Sequence, residues 1–491
     1  MKSVIVIGGG VGGLASAALL SSKGYDVTVY EKNATIGGRS ARLTVGDFSF
    51  DTGPTFLIYK EVLIELFEAM QKNIEDYVDI KTLDPLYSLV FDKTVFRPSN
   101  LHREHTVSQI EDFFPGNSKG YNALLKDQQR RFASIARIMR MPFDKPYHYL
   151  HPKIIKGVPH INPFKNLRSQ LKGYFNNEQM IQATGFQSKY LGLSAEKTPA
   201  LFAILSYLEH AHGLYHTIGG LNAINHAFAK VIKEHGGKIH TSTGVKKIHA
   251  KKRQITHITL DSNDDVQADG YFLNADFAKA MLDMVDEPAR KSYTNKKLQK
   301  MDYSISTFNI YLGLNKTFDL DHHNVIFSKD YNHFIKTITN NKLPEDDLSL
   351  YIHNPSKIDP SLAPKGKSSL YILVPVPNLD SNTDWKTEKD RFKNLIYKTL
   401  EEKTEIKNIQ KHIEVEHIIT PQNWQDEYHV HKGAVFNLSH KLSQMLYFRP
   451  HNQFNNIDNL YLTGGGTHPG SGLPTIYLSA LISTKLFEKA K

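Results

Sequence analysis

The stretch VIVIGGGVGGLASAALL at Val4 to Leu20 constrains this chain more than any other. Val4 to Ile7 is an apolar run of strand length, Leu14 to Leu20 a run of small and apolar residues suited to a helix, and the turn between them is almost all glycine. Gly8, Gly10 and Gly13 fall on the pattern GxGxxG. The first glycine permits a tight turn, the second lets the backbone approach a pyrophosphate, and the third lets the helix pack on the strand. Free N–H groups at the helix N-terminus then favour the anion. A second strand, Asp26 to Tyr30, ends at Glu31. A carboxylate at that position accepts from a ribose hydroxyl and repels a 2'-phosphate. The pattern predicts a βαβ unit that binds a dinucleotide other than NADP.

A second glycine pair, Gly37 and Gly38, is followed at once by Arg39. Its guanidinium suits a pyrophosphate held bidentately, and equally suits a solvated surface turn; residue types alone leave both open. The 491 residues contain no Cys, which excludes disulfides, thiolate nucleophiles and cysteine-ligated metal, and fits a reducing compartment. No apolar stretch reaches the 18 or so residues of a spanning helix, so the expected membrane contact is peripheral. The formal charge of +10 is concentrated between Arg130 and Lys172, where ten Lys or Arg face one acid, Asp144. Phe132, Ile135, Ile138 and Met139 recur there at helical spacing and run into PFDKPYHYLHPKIIKGVPHINPF. A basic amphipathic helix of this kind reads as a membrane-surface element, as a nucleic-acid contact, or as an ordinary solvated face.

Three further segments carry a resemblance. FDTGPT at Phe50 to Thr55, YFLNADF at Tyr271 to Phe277 and NLYLTGGGTHPGSGLPTIYLSA near the C-terminus, together with GxGxxG and GGR, resemble the amine oxidase and carotenoid desaturase superfamily. HAHGLYHTIGGLNAINHAFAKVIKEHGGKIHTSTGVKKI resembles the central flavin segment of that superfamily. HNVIFSKDY, SLAPKGKSSLYILVPVP and YFRPHNQF are most similar to the 4,4'-diapophytoene (dehydrosqualene) branch of the bacterial carotenoid, or phytoene-type, desaturases. The resemblance spans nearly the whole chain.

It implies an α/β fold: a Rossmann-type FAD-binding domain with an inserted α+β substrate domain. Flavin segments at the beginning, middle and end make the FAD domain discontinuous, with expected bounds 1–75, 214–295 and 428–491. Residues 76–213 and 296–427 then form the substrate and membrane-contact part. Leu221, Ile224, Phe228 and Ile232 recur at helical spacing, and IHTSTGVKKI is expected to return as a strand pair. The resemblance makes FAD the cofactor, held by Gly8, Gly10, Gly13, Glu31, Gly38, Arg39, Val245, Gly466 and Thr467. Val245 would lend backbone groups to the adenine; read without the resemblance it is an ordinary strand valine. Gly464 to Thr467 carries no acid for the ribityl chain, which leaves that contact to backbone groups or Thr467.

The implied reaction is desaturation of a lipid-soluble C30 polyene by successive hydride transfers to the flavin. A C40 substrate, a terminal carotenoid oxygenase and a prenyl-lipid escort protein are the alternatives, and oxygen and a quinone both stand as electron acceptor. Glu209, in SYLEHAHGLY, is the candidate to stabilise an allylic cation or take its proton. No metal is expected: His210 and His212 do not share a helix face with each other, His216 lies beyond them, and His429 and His431, alternating on one strand face, lack a third ligand. His468 lies in the glycine stretch that the resemblance places beside the flavin. The expected location is the inner face of the cell membrane, without nucleic acid as a partner.

Overall fold

A computed structural model describes residues 1–152, 154–155 and 165–490, apart from the side chains of residues 190 and 191. Lys153 and residues 156–164, part of the basic segment, lie outside the described residues. β1 (Ser3–Ile7), α1 (Val11–Ser22) and β2 (Asp26–Tyr30) form the opening unit. They belong to a five-stranded sheet in the order Lys238–His240, β2, β1, Gly270–Leu273, Leu460–Leu462, with every pairing parallel. A parallel sheet must be covered on both faces, which is why Val4 to Ile7 is apolar without alternation. α1 is buried from Val11 to Ser21 and packs between the helices Asn222–Glu234 and Leu473–Lys489. Its alanines, serines and glycines let three helices approach closely, and they leave it no polar stripe.

IHTSTGVKKI does form two strands, but they do not pair with each other. Lys238–His240 lies beside β2, whereas Val245–Lys251 pairs with Gln254–Leu260 in a separate antiparallel sheet. Ser242 N–H donates to Asn33 O at 2.9 Å and Thr243 N–H to Glu31 O at 2.8 Å. These bonds carry the chain across the end of β2 and prevent a local hairpin.

A seven-stranded mixed sheet draws on residues 88–96 and 306–419. Ser306–Leu314, the second strand in from one edge, is buried throughout. Phe308, Ile310 and Leu312 face the main apolar core, where Phe308 packs on Trp385 and Phe392 of the helix Trp385–Lys403. Thr307 and Asn309 line a large cavity on the other face, as do Tyr371 and Leu373 of the neighbouring strand Ser368–Val376. Period-two alternation thus gives the sheet one packing face and one cavity face. The strand Leu214–Thr217 lies between Leu57–Ile58 and Ile80–Thr82, joining the middle of the chain to its first hundred residues.

Among the described residues no helix is long and apolar enough to cross a membrane. The apolar stripe on the helix Ser118–Ile138 turns inward: Phe132, Ile135 and Ile138, with Met139, line the cavity. That corrects its reading as a membrane-facing stripe. Two of the basic side chains beside it are paired, Arg140 with Glu65 at 2.6 Å and Arg168 with Glu178 at 2.5 Å.

Candidate functional site

The cavity holds about 800 Å3 and runs from the glycine turns of the parallel sheet to the cavity face of the seven-stranded sheet. Three glycine-bearing turns form its first wall, through Gly8, Gly10 and Gly12, through Gly37 and Gly38, and through Gly464, Gly465, Gly470 and Gly472. Two helices start there. α1 begins at Gly10 and the helix Leu473–Lys489 at Gly472, neither with a side-chain cap, so their first N–H groups and positive dipole ends are left for a ligand. An anion fits this wall.

Asn274, which carries no recognisable signal of its own in the sequence, locks the turns together. Its N–H donates to Ile7 O at 2.8 Å and its side-chain amide to Thr463 O at 2.9 Å. A Cβ on Gly10 would stand 2.6 Å from Asn274 Oδ1, one on Gly12 2.8 Å from its Nδ2, and one on Gly8 2.2 Å from its carbonyl oxygen. Gly8 also has φ +99°. Gly13 does not line the cavity; a Cβ there would meet Gly8 O at 2.1 Å, so it serves the close packing of helix on strand. The available signal was YFLNADF itself, but the resemblance marked the segment without marking the asparagine.

Glu31 is buried at the end of β2 and lines the cavity. Its carboxylate accepts from Gly9 N–H at 2.7 Å and Asn33 N–H at 2.8 Å, and burial raises its pKa against those bonds. Gly38, Arg39 and Val245 also line the cavity. Arg39 donates to Val435 O at 2.6 Å and lies close enough to Asp276 for the two charges to interact. Burial lowers the guanidinium's pKa and raises the carboxyl's, while each charge opposes the shift of the other. Asp276 also caps the helix Phe277–Met284 through Lys279 N–H.

Two expectations for the C-terminal loop are corrected. Gly466 and Thr467 are not on the cavity wall, whereas Gly464, Gly465 and His468 to Gly472 are. The Thr467 hydroxyl donates to Pro450 O at 2.5 Å and its carbonyl accepts from Arg449, so this side chain anchors the loop from behind. His468 donates from Nε2 to Met141 O at 2.8 Å, and burial holds its pKa near 3.

Glu209 also lies elsewhere. It is fully buried and accepts from Tyr87 Oη at 3.0 Å and Gln187 Nε2 at 2.7 Å, while the cavity-facing residues of its helix are Ile204, Leu205 and Leu208. The structure therefore gives it a place in a buried polar network and no contact with the cavity. His210, next in sequence, bridges Tyr87 and Tyr121 in that network. His212 contacts Glu61 at 3.0 Å, and His216 contacts Asp359 at 3.2 Å, so the three histidines diverge. His429 lines the cavity at φ +54°, outside any strand, and His431 opens a short 3-10 turn. Lys189 was not foreseen at all. It lines the cavity amid Phe186, Phe327 and Tyr331, each ring centroid within 5.7 Å of Nζ, and burial lowers its pKa to about 7.

A nucleotide cradle at one end and a largely apolar chamber at the other is the arrangement of a flavoenzyme for an apolar substrate. The profile of the flavin-containing amine oxidoreductases matches residues 11–484. The chain is 44% identical to a 4,4'-diapophytoene desaturase (4,4'-diapolycopene-forming) of Methylomonas, over 99% of this chain and 95% of that protein. The chain belongs to the carotenoid desaturases of the flavin-containing amine oxidoreductase family. A 4,4'-diaponeurosporene-forming desaturase of Staphylococcus haemolyticus is 32% identical over 98% of each chain. Among solved structures, an oxidoreductase from Methanosarcina mazei shares the fold at a TM-score of 0.66 and 18% identity, covering 98% of this chain and 99% of its own. As a member of this family of desaturases the chain is an FAD-dependent oxidoreductase. The cradle fits the group: glycine backbones without side chains, two uncapped helix N-termini, and Glu31 and Arg39 on the same cavity wall.

Proposed function

We propose that the chain desaturates 4,4'-diapophytoene, a C30 polyene, to 4,4'-diaponeurosporene-type products. The full-length similarity to 4,4'-diapophytoene desaturases carries this reading, and the composition of the chamber supports it. FAD bound in the cradle supplies hydride acceptance. The chain's own residues supply position and dryness. Phe132, Ile135, Ile204 and Leu208 give a hydrocarbon chain an apolar wall without competing hydrogen bonds. The uncapped N-terminus of Leu473–Lys489 would favour negative charge on a bound, reduced cofactor. His468, neutral with its pKa near 3, keeps the loop in place without adding charge.

Moving some 30 carbons through water costs on the order of 20 kcal/mol at about 0.8 kcal/mol per CH2, so the substrate is best taken directly from a bilayer. An apolar patch suited to that task lies beside the cavity. Tyr147, Leu150 and Phe448 are 64%, 72% and 58% exposed, and Leu442 is both exposed and on the cavity wall. The segments bearing them touch, because Leu446 packs against the cluster of Ile138, Phe143 and Ile154. Exposed Arg130, Arg137 and Lys145 lie on the same stretch of chain and suit anionic headgroups. The docking surface is thus the loop after the amphipathic helix rather than the helix stripe.

The test is anaerobic: oxidised enzyme is mixed with substrate in liposomes, bleaching of the flavin band is followed, and the extracted product is weighed by mass spectrometry. Loss of two hydrogens per flavin reduced is expected. A product that gains oxygen only in air, with no new carbon–carbon double bond, overturns the proposal.

A further inference from the structure

Away from the cavity wall, three histidines from distant parts of the chain converge. His216 lies in the strand Leu214–Thr217, His322 immediately precedes the strand His323–Ile326, and His353 ends the strand Leu350–His353. All three are buried, at 0%, 6% and 1% exposure. One ring nitrogen of each lies within 4.8 Å of those of the other two. The rings are tilted rather than stacked: His322 makes angles of 66° with His216 and 65° with His353, with centroids 4.7 Å away in both cases. His216 Nδ1, His322 Nε2 and His353 Nε2 have no hydrogen-bond partner. Three unsatisfied imidazole nitrogens in one dry place are costly unless something there accepts their lone pairs or protons.

The surroundings are those of metal-binding imidazoles, whose second nitrogen is normally held by a carboxylate or another polar group. His216 Nε2 is 3.2 Å from Asp359 Oδ2. Asp359 is itself fixed by Gly219 N–H at 2.7 Å and by the hydroxyl and N–H of Ser361. His322 Nδ1 is 3.1 Å from His323 Nε2, and the other nitrogen of His323 is 2.7 Å from Tyr351 Oη. Two of the three rings, His216 and His322, are thus held through their other nitrogen.

We propose that His216, His322 and His353 bind a divalent transition-metal ion, zinc being the ion whose ligand preference they match. Three neutral imidazoles fill three of zinc's four positions, a water completes the shell, and the Asp359 carboxylate behind His216 supplies countercharge. The ion ties the strand near the start of the central flavin segment to two strands of the seven-stranded sheet. Its role is structural, since Thr55, Phe56 and Tyr351 line the cavity and these three histidines do not.

The test uses untagged full-length holoenzyme, purified from zinc-supplemented medium and passed through metal-free buffer. Elemental analysis should find about one zinc per chain, and Co2+ exchanged into the chelator-stripped protein should give visible d–d bands of a low-coordinate nitrogen site. His322→Gln and His353→Gln should lose the metal and the bands while the flavin stays bound. Asp359→Asn should weaken Zn2+ binding by about 10–100-fold. Dipicolinate should lower the thermal midpoint of wild type, and Zn2+ should restore it. Wild type with less than about a tenth of an equivalent of metal and no Co2+ bands overturns the proposal even if the variants do not fold. Metal retained by both His variants overturns it equally.

Discussion

Gly10 separates two accounts of the glycine turn. The sequence pattern says that a side chain there would collide with the pyrophosphate; the structure puts Asn274 Oδ1 only 2.6 Å from the missing Cβ. Ordinary contact begins at 3.4 Å, so in Gly10→Ala the amide must retreat by about 0.8 Å. It cannot retreat freely, because its Nδ2 is tied to Thr463 O at 2.9 Å. Overpacking of this kind costs about 1–3 kcal/mol, and loss of the bond to Thr463 O about 1 kcal/mol more. Asn274→Ala removes the same bond and leaves a void. In the double variant the new methyl enters that void, so the two losses should fall short of their sum by at least about 1 kcal/mol. Urea unfolding of the flavin-free proteins measures the coupling, and fluorescence titration measures FAD affinity in parallel. Losses that add within about 0.5 kcal/mol refute the Asn274 account. FAD affinity that stays weak in the double variant while stability recovers shows that the methyl meets the nucleotide directly.

Glu31→Ala frees Gly9 N–H and Asn33 N–H together, and should cost about 1–3 kcal/mol of stability and at least tenfold in FAD affinity; an unchanged dissociation constant removes Glu31 from the site. Glu209→Gln should destabilise by about 1–3 kcal/mol through the Tyr87 and Gln187 bonds yet leave flavin reduction in the folded enzyme within about threefold of wild type, and a larger drop in rate would restore a catalytic role. Lys189 has a folded pKa of about 7, below its ordinary 10.5, so the unfolded chain binds the extra proton between those values and wild-type stability rises with pH across that window. Lys189→Met should therefore be the more stable protein by about 1–3 kcal/mol at pH 7, with the gap closing toward pH 10; a gap independent of pH means the ammonium is solvated. Leu150→Asp with Phe448→Asp should abolish binding to anionic vesicles without releasing flavin, and undiminished flotation with the vesicles would place the docking surface elsewhere.

The opening unit was legible because everything that determines it lies within about thirty residues: an apolar run, a glycine turn, small residues for a crowded helix and an acid at the end of the next strand. Glu209 was not legible, because its helix is buried from Ser206 through His210 and offers no polar face from which to orient an acid. Thr467 was misplaced for a related reason. A loop rich in glycine has no periodicity, so its sequence does not tell which residues face the ligand and which, like Thr467 on Pro450 O, hold the loop from behind. The amphipathic stripe at Phe132 to Met139 was real, but an apolar cavity and a bilayer demand the same pattern. The His216, His322 and His353 cluster has no local signature, since its members are separated by 106 and 31 positions and come from two different sheets.

Those long-range meetings also bear on how a substrate from a bilayer could reach the flavin cradle. His468 lies in the loop that forms part of the glycine wall, and its Nε2–H is bonded to Met141 O, at the start of the segment that carries Tyr147 and Leu150. Its ring also packs on Phe143, 5.4 Å away between centroids. With burial holding its pKa near 3, the imidazole is neutral at pH 7, and this bond is that of an uncharged ring. The proposed docking loop and the flavin wall are therefore neighbours joined by one buried hydrogen bond and one ring contact. We propose that a polyene enters beside Leu442 and Leu446 and passes Met139 to meet that wall, with Lys189 of the same cavity beyond the reacting position. In that geometry, the depth of the chamber past the flavin governs how much of the chain can be threaded beyond it. Residues there, Phe186 and Lys189 among them, are the ones whose size should decide how many successive desaturations a C30 chain undergoes.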